Sequence, residues 1–219
     1  MGTNESISHT PERVFHINLM RLIARDFHDL PMVLKGGTAL LLCYGLDRFS
    51  EDLDFDAPKK FNVQNRIQRI LALHTKAYSV KTVKDTATVQ RLKAHYTGRG
   101  SDRLLKVETS FRGVDEEGLI TVIDGIRTYK ISALIEQKIK AFAQRTAARD
   151  LYDIAFLSKK YPDEFSSTSL IELQDAMVDE SAVEQRFQGA FIEDEILDIE
   201  DLPAIVLQIS GFVKLMRQQ

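Results

Sequence analysis

Two aspartates two residues apart, Asp52 and Asp54, stand in Asp52-Leu53-Asp54-Phe55-Asp56, a stretch that alternates acidic and apolar side chains. On a β-strand, residues two apart project to the same face, so these carboxylates sit side by side while Leu53 and Phe55 turn to a core. Adjacent anions repel unless a cation lies between them. A hard divalent ion such as Mg²⁺ suits such a pair, because it takes oxygen ligands and keeps water and phosphate oxygens. An isolated Asp-x-Asp is more often a solvated strand or turn, so the neighbouring residues have to carry the case.

Gly36-Gly37-Thr38 lies fourteen to sixteen residues upstream, between an expected strand and an expected helix. Glycines let a backbone approach a ligand closely, and a helix N-terminus offers N–H groups to an anion. The segment is neither a Walker loop nor a Gly-x-Gly-x-x-Gly turn, and a plain strand-to-helix turn is its bland reading. Arg48 and Ser50 add a phosphate-binding cation and a hydroxyl just before the carboxylates. Glu108 is the lone acid of the basic and apolar run Leu105-Lys106-Val107-Glu108-Thr109-Ser110; a strand-face glutamate paired to a lysine is the alternative there. Cys43, the one cysteine, follows three leucines and reads as a core thiol rather than a nucleophile, with no disulfide possible and a reducing compartment implied.

The elements that must position these groups follow from periodicity and punctuation. Thr10-Pro11 opens a helix that carries Val14, Ile17, Leu19, Leu22, Ile23 and Phe27 on a near-helical spacing and ends before Pro31. Residues 32–34 read as a short strand, 38–44 as a helix closed by Gly45, and 52–56 as a strand ended by Pro58. Asn62 is expected to cap a helix running to about residue 74. Strand-like stretches follow at 78–83, 88–96, 104–111 and 119–123. From residue 131 the pattern turns helical, with runs near 132–146, 149–160, 167–178, 182–190 and 201–216, and Ser132 as an expected N-cap. The fold class is therefore α+β: a mixed sheet with flanking helices in residues 1–130, followed by an all-helical domain in residues 131–219.

Composition is globular, 44% apolar and 28% charged, which excludes disorder as the ground state. The net charge of −3 hides an asymmetry. Residues 59–112 carry 13 Lys/Arg against Asp85, Asp102 and Glu108, whereas residues 163–201 carry 13 acids against Arg186. A basic middle suits a polyanion and an acidic end would repel it, although both could be solvated faces. The polar opening Met1–Ser6 lacks the pattern of a signal peptide, and no apolar run reaches membrane-spanning length. No membrane partner and a cytoplasmic location are expected.

Taken together, Lys35-Gly36-Gly37-Thr38-Ala39-Leu40 and Arg48-Phe49-Ser50-Glu51-Asp52-Leu53-Asp54-Phe55 resemble the AbiEii/AbiGii-type nucleotidyltransferase toxins, relatives of the MenT toxins and, more distantly, of the DNA polymerase β-like superfamily. The resemblance implies that the Gly-Gly-Thr turn holds a nucleoside triphosphate with Lys35, Arg48 and Ser50 around it. It also implies that Asp52, Asp54 and a third carboxylate, Glu108, hold two Mg²⁺ ions. It extends to Glu136-Gln137-Lys138-Ile139-Lys140-Ala141, Arg145 and Arg149-Asp150-Leu151-Tyr152-Asp153-Ile154. There it assigns Lys138 and Arg145 to the triphosphate and Asp150 to the active-site acids; a solvated helix face with an Asp cap is the alternative. Lys138, Arg145 and Arg149 would share one face if a single helix ran through them. Gln137 stands where the family often has Glu, and the motifs span roughly residues 30–157.

The implied reaction is transfer of a nucleoside monophosphate from an NTP to a hydroxyl, releasing pyrophosphate. By resemblance the acceptor is RNA, with the tRNA 3′ end as the leading candidate, and the protein is the toxin of a toxin–antitoxin or abortive-infection pair with a cognate antitoxin. A small-molecule acceptor fits the broad basic stretch poorly; a protein hydroxyl is not opposed by anything in the sequence. A non-catalytic nucleotide- or RNA-binding module is opposed by the complete set of acids.

Overall fold

The structure, a computed structural model, describes residues 10–114 and 117–217; the polar opening at residues 1–6 lies outside them. The chain divides between Lys130 and Ile131 into two compact units.

The front unit begins with α1 (Pro11–Asp26), capped as expected by Thr10, whose hydroxyl accepts from the Arg13 N–H at 3.3 Å. A seven-stranded mixed sheet follows, built from β1 (Val33–Lys35), β2 (Leu53–Asp56), β3 (Ala77–Asp85), β4 (Val89–Gly98), β5 (Ser101–Ser110), β6 (Ile120–Ile123) and β7 (Ile126–Tyr129) in the order β3-β4-β5-β2-β1-β7-β6. β2–β5 and β1–β7 are parallel pairs and the others antiparallel. α2 (Gly36–Tyr44) springs directly from β1, and Gly45, in the left-handed region at φ 72°, ends it. α3 (Gln64–His74) joins β2 to β3. Its N-cap is Val63 without a side-chain bond, so Asn62 is not the cap.

Strand alternation gives the sheet two unlike faces. Leu34, Leu53, Phe55, Leu92, Ala94, Leu105 and Val107 are buried on one, where the Phe27 ring beyond α1 meets Phe55 at 5.5 Å and Phe15 meets Tyr96 at 6.1 Å. Burying such side chains contributes roughly 1.5–3 kcal/mol each, enough to fix the register, since a one-residue slip would send them to water. The other face is the charged one. The sequence pattern marks no strand at β7. Its hairpin with β6 turns on Asp124 (φ 49°) and Gly125 (φ 76°), the Asp-Gly pair that two-residue hairpins favour.

The rear unit is helical throughout its regular elements: α4 (Ile131–Gln144), α5 (Ala148–Lys160), α6 (Ser167–Ala176), α7 (Glu180–Ile192) and α8 (Leu202–Met216). Ile135, Ile139, Phe142, Leu151, Ile154, Phe187, Phe191, Val206 and Ile209 form its core, with Phe142 and Phe187 stacked at 5.4 Å. Ser132 lies inside the first turn of α4 and does not cap it. Much of the acidity of residues 163–201 is spent on helix starts. Asp179 caps α7, Asp198 caps the 3₁₀ turn before α8, and Glu180 meets Ser210 and Lys214, where carboxylates answer unpaired N–H groups and the helix dipole.

Candidate active site

Lys35 on β1, Asp54 on β2, Glu108 on β5 and Arg91 on β4 stand opposite one another across four neighbouring strands. Side chains in cross-strand register share a face, so this is a row of alternating charge blocks with two acids in its middle. Asp52 and Lys106 lie two residues back on the same face. Lys106 Nζ reaches Asp52 Oδ2 at 2.5 Å, and Arg91 Nη2 reaches Glu108 Oε2 at 2.5 Å. Lys35 turns away from Asp54 to Asp56 Oδ1 at 2.6 Å, and Asp56 also accepts from the Tyr129 hydroxyl at 3.0 Å. Asp54 is left over: among the described residues its side chain takes part in no hydrogen bond or ion pair. Burial pushes its carboxyl above the ordinary carboxylate range. Asp52 and Glu108 push the same way, and Lys106 and Lys35 only partly offset them.

The Gly-Gly turn closes over this carboxylate. Gly36 has φ +71°, the left-handed backbone that glycine supplies, and a Cβ there would lie in ordinary contact with Asp54 Oδ2 at 3.9 Å. The cap residue of α2, Lys35, makes no side-chain cap bond, so the first N–H groups of the helix have no side-chain acceptor of that kind. Gly37 is glycine for another reason: a Cβ would come within 2.6 Å of Arg48 Nη2. Arg48 is 2% exposed and donates from Nη1 to the Phe49 carbonyl at 3.0 Å. Thr38, also buried, donates its hydroxyl to the Asp52 carbonyl and so receives the Ser50 hydroxyl at 2.7 Å. Arg48, Thr38 and Ser50 thus tie the turn to the lead-in of β2, and the buried pair Arg48 and Thr38 lie beneath the turn.

His16 on α1 belongs to none of the sequence motifs but joins the site through the fold. Its Nε2 faces the Glu51 carbonyl at 2.8 Å and must carry the hydrogen, leaving Nδ1 to accept from the Tyr96 hydroxyl at 2.6 Å. Burial holds the imidazole below its ordinary range, and burial pushes the Tyr96 phenol up to about 12, so each keeps the protonation state the chain of bonds requires. Glu51 precedes Asp52, so His16 and Thr38 hold consecutive carbonyls. No local pattern links residue 16 to residue 51; the sheet brings them together. Cys43 is half-buried, and burial raises its thiol to about 11, which removes it as a nucleophile.

Lys138, Arg145 and Asp150 come together in the rear unit. Lys138 Nζ lies 2.8 Å from Asp150 Oδ1 and 2.7 Å from Asp153 Oδ2, and Arg145 grips Asp150 with Nε at 2.6 Å and Nη2 at 3.1 Å. Burial alone would push Asp150 up, but the Arg145 guanidinium and the Lys138 ammonium prevail and hold it below the ordinary range. Burial likewise works against the Lys138 ammonium, and Asp153 and Asp150 outweigh it. The helix is not continuous: α4 ends at Gln144 and α5 starts at Ala148. Arg145 therefore folds back to Asp150, and Arg149 departs to Asp194 at 2.9 Å rather than sharing their face.

Among the described residues no three Asp, Glu, His or Cys side chains are gathered as a metal cage, because Asp52 and Glu108 face Lys106 and Arg91. The donor set still suits a hard divalent cation: three carboxylates from adjacent strands, the central one unpartnered and disfavoured as an anion where it stands.

The sequence model of the nucleotidyl transferase AbiEii toxin family, of type IV toxin–antitoxin systems, matches residues 18–216. The crystal structure of JHP933 from Helicobacter pylori superposes with a TM-score of 0.88 at 34% identity, over 96% of this chain and 94% of that one. Another Helicobacter pylori structure, described as a candidate nucleotidyltransferase, superposes with a TM-score of 0.87 at 34% identity over 96% of each chain. No curated protein matches the chain. The family match and the likeness of fold define the class as nucleotidyltransferase. The chain belongs to the AbiEii nucleotidyl transferase toxin family, and membership in a toxin–antitoxin family implies a cognate antitoxin.

Proposed function

We propose that the protein transfers a nucleoside monophosphate from an NTP to a hydroxyl of RNA, with the tRNA 3′ end as the leading acceptor, and that it needs Mg²⁺. The observation that carries this reading is Asp54, an unpartnered carboxylate between Asp52 and Glu108, directly under Gly36. Asp52, Asp54 and Glu108 are the residues that would hold the ions, and the chemistry supplied there is neutralisation of phosphate charge and acidification of the attacking hydroxyl. Gly36 and Gly37 let the start of α2 present its N–H groups to the triphosphate. Arg48, Thr38, Ser50 and His16 keep that turn and the β2 lead-in in fixed relation, and Lys35 adds a cation beside them. Positioning of this kind is what phosphoryl-type transfer mostly asks of a protein. In this reading Lys138, Arg145 and Asp150 form a charged cluster of the rear unit whose share in NTP binding is decided by kinetics of an Arg145→Ala variant.

The protein is read as a cytoplasmic toxin; no described helix is long and apolar enough to cross a membrane. The test is incubation of purified protein with Mg²⁺, each labelled NTP in turn, and bulk tRNA. Label should enter tRNA with wild type and not with Asp54→Ala. Label in an aminoglycoside or in the protein itself, and none in RNA, would replace the acceptor while keeping the transfer.

A further inference from the structure

The charged face of the front sheet continues from the carboxylates toward the edge strand in regular rows. One step of two residues from Glu108 and Arg91 stand Lys106, Lys93 and Lys81, directly opposite one another on β5, β4 and β3. Like charges abreast on one face repel. Lys106 has Asp52, but Lys81 and Lys93 take part in no ion pair among the described residues. The next row is Leu104, His95 and Ser79, and the one beyond it Asp102, Thr97 and Ala77.

Between these two rows lies a cavity of about 450 Å³. Six of the nine residues that line it, Ala77, Ser79, His95, Thr97, Asp102 and Leu104, belong to the charged face and none belongs to α1 or α3, so it opens on that face; Tyr78, Tyr96 and Arg103 complete the lining. Its walls combine kinds of group that rarely sit together on a solvated sheet. Leu104 is 42% exposed and His95 is exposed beside it, an apolar and a flat surface amid lysines. Opposite them Thr97 donates to Asp102 Oδ1 at 2.6 Å, which fixes that carboxylate and leaves Oδ2 as an acceptor.

We propose that this cavity takes a base of the acceptor strand, with the adjoining phosphate on Lys81 and Lys93 and the reacting hydroxyl one row further on, at Asp54. This rests on the reading that the acceptor is a single-stranded RNA end. Three features select a base over other occupants. The carboxylate of Asp102 repels a phosphate but accepts from an exocyclic amine, as carboxylates do from cytosine. Leu104 and His95 offer the stacking and apolar contact that unpaired bases use. The lysine row lies one strand step of about 6.6–6.8 Å from the carboxylate row and the same from the near wall of the cavity at Leu104 and His95, with Asp102 one step beyond that wall, so a chain running along the strands meets base pocket, cations and acids in that order. Adenine and cytosine have the amine; uracil does not.

Fluorescence anisotropy with labelled hexaribonucleotides of A, C and U tests this on the full chain without requiring turnover. Wild type should bind the A and C oligomers about tenfold more tightly than the U oligomer, the worth of one charge-assisted hydrogen bond. Asp102→Asn should bring the three within twofold, because the amide can donate to uracil as well as accept. Lys93→Glu should weaken all three alike. Equal affinities with wild type, unaltered discrimination in Asp102→Asn, or no binding of any oligomer would overturn the proposal. Failure of the transfer reading shows separately, as RNA binding with the expected preference but no Asp54-dependent labelling.

Discussion

The acid clusters around Asp54 in the front unit and Asp150 in the rear unit both sit among cations, and they differ in how completely the acids are answered. In the rear unit Asp150 and Asp153 are buried, and Lys138 and Arg145 are committed to them. In the front unit Asp52 and Glu108 have Lys106 and Arg91, while Asp54, between them, has no partner and is pushed toward the neutral acid. Buried charges persist only when paired, and a group left unpaired costs stability. Asp54 is part-exposed and its oxygens are not sealed from water, so in the front cluster solvent takes the place that a cation holds in the rear one. The rear cluster fits structure and the front cluster fits a cation and its phosphates.

The sharpest way to break this contrast is to remove the acid at the centre of each cluster and compare activity with stability. Asp54→Ala should lower nucleotidyl transfer by at least about 10³-fold, the order expected when preorganised charge stabilisation is lost. Its melting temperature should stay level or rise, since an opposed negative charge disappears. Mg²⁺ should raise the melting temperature of wild type, by an amount equivalent to about 2.7 kcal/mol at a hundredfold excess over its dissociation constant, and leave Asp54→Ala unmoved. Equal Mg²⁺ stabilisation of both proteins in calorimetry would end the assignment of Asp54 as a ligand.

Lys138→Ala should do the reverse. It leaves Asp150 and Asp153 buried without their shared ammonium, a loss of about 3–5 kcal/mol, visible as early unfolding in urea. A variant that is no less stable but shows a raised KM for NTP would move Lys138 from the structural cluster to the triphosphate. Smaller again is Gly37→Ala. A helical Gly→Ala change ordinarily gains up to about 1 kcal/mol, but here the new methyl meets the buried Arg48 guanidinium at 2.6 Å. Overpacking of this kind costs about 1–3 kcal/mol, so the net sign in a thermal melt should be destabilising.

The sequence makes the α+β class, the helical rear and most strands legible because each rests on local signals: the cap at Thr10, the period-two run at residues 52–56, glycines between the strands. β7 was within reach, since Asp124-Gly125 is a hairpin turn, but four residues with two polar side chains give a weak period. Asp52 and Asp54 are legible from their alternation, whereas Glu108, a lone acid in a basic and apolar run, is singled out as a third carboxylate chiefly by the family resemblance. The pairing of these acids was not legible. That Lys106 faces Asp52, or that Arg91 faces Glu108, depends on the parallel register of β2 with β5 and on the hairpin of β4 with β5. His16 depends on longer-range packing still. Arg48 and Thr38 show a further limit: residue type suggests a phosphate contact, whereas burial, known only from the fold, puts them beneath the turn that would make it.

The two clusters should also part company with pH. Asp150 is held below the ordinary aspartate range, so its contribution is fully present above an unfolded value of about 3.9 and is lost as pH falls through the lower folded value. Asp54 is held above that range, so protonation on acidification relieves it and favours the folded state, with its ionised form least comfortable at neutral pH. Thermal melts of wild type, Asp150→Asn and Asp54→Asn between pH 7 and pH 3 should therefore diverge. The advantage of wild type over Asp150→Asn should be constant through the neutral range and shrink only in strong acid. Any deficit of wild type against Asp54→Asn should instead be largest near neutrality and close as Asp54 takes its proton, at a pH higher than an ordinary aspartate would need. Parallel curves for the two variants would mean that both carboxylates are equally well answered, and that the front cluster is as complete without a ligand as the rear one.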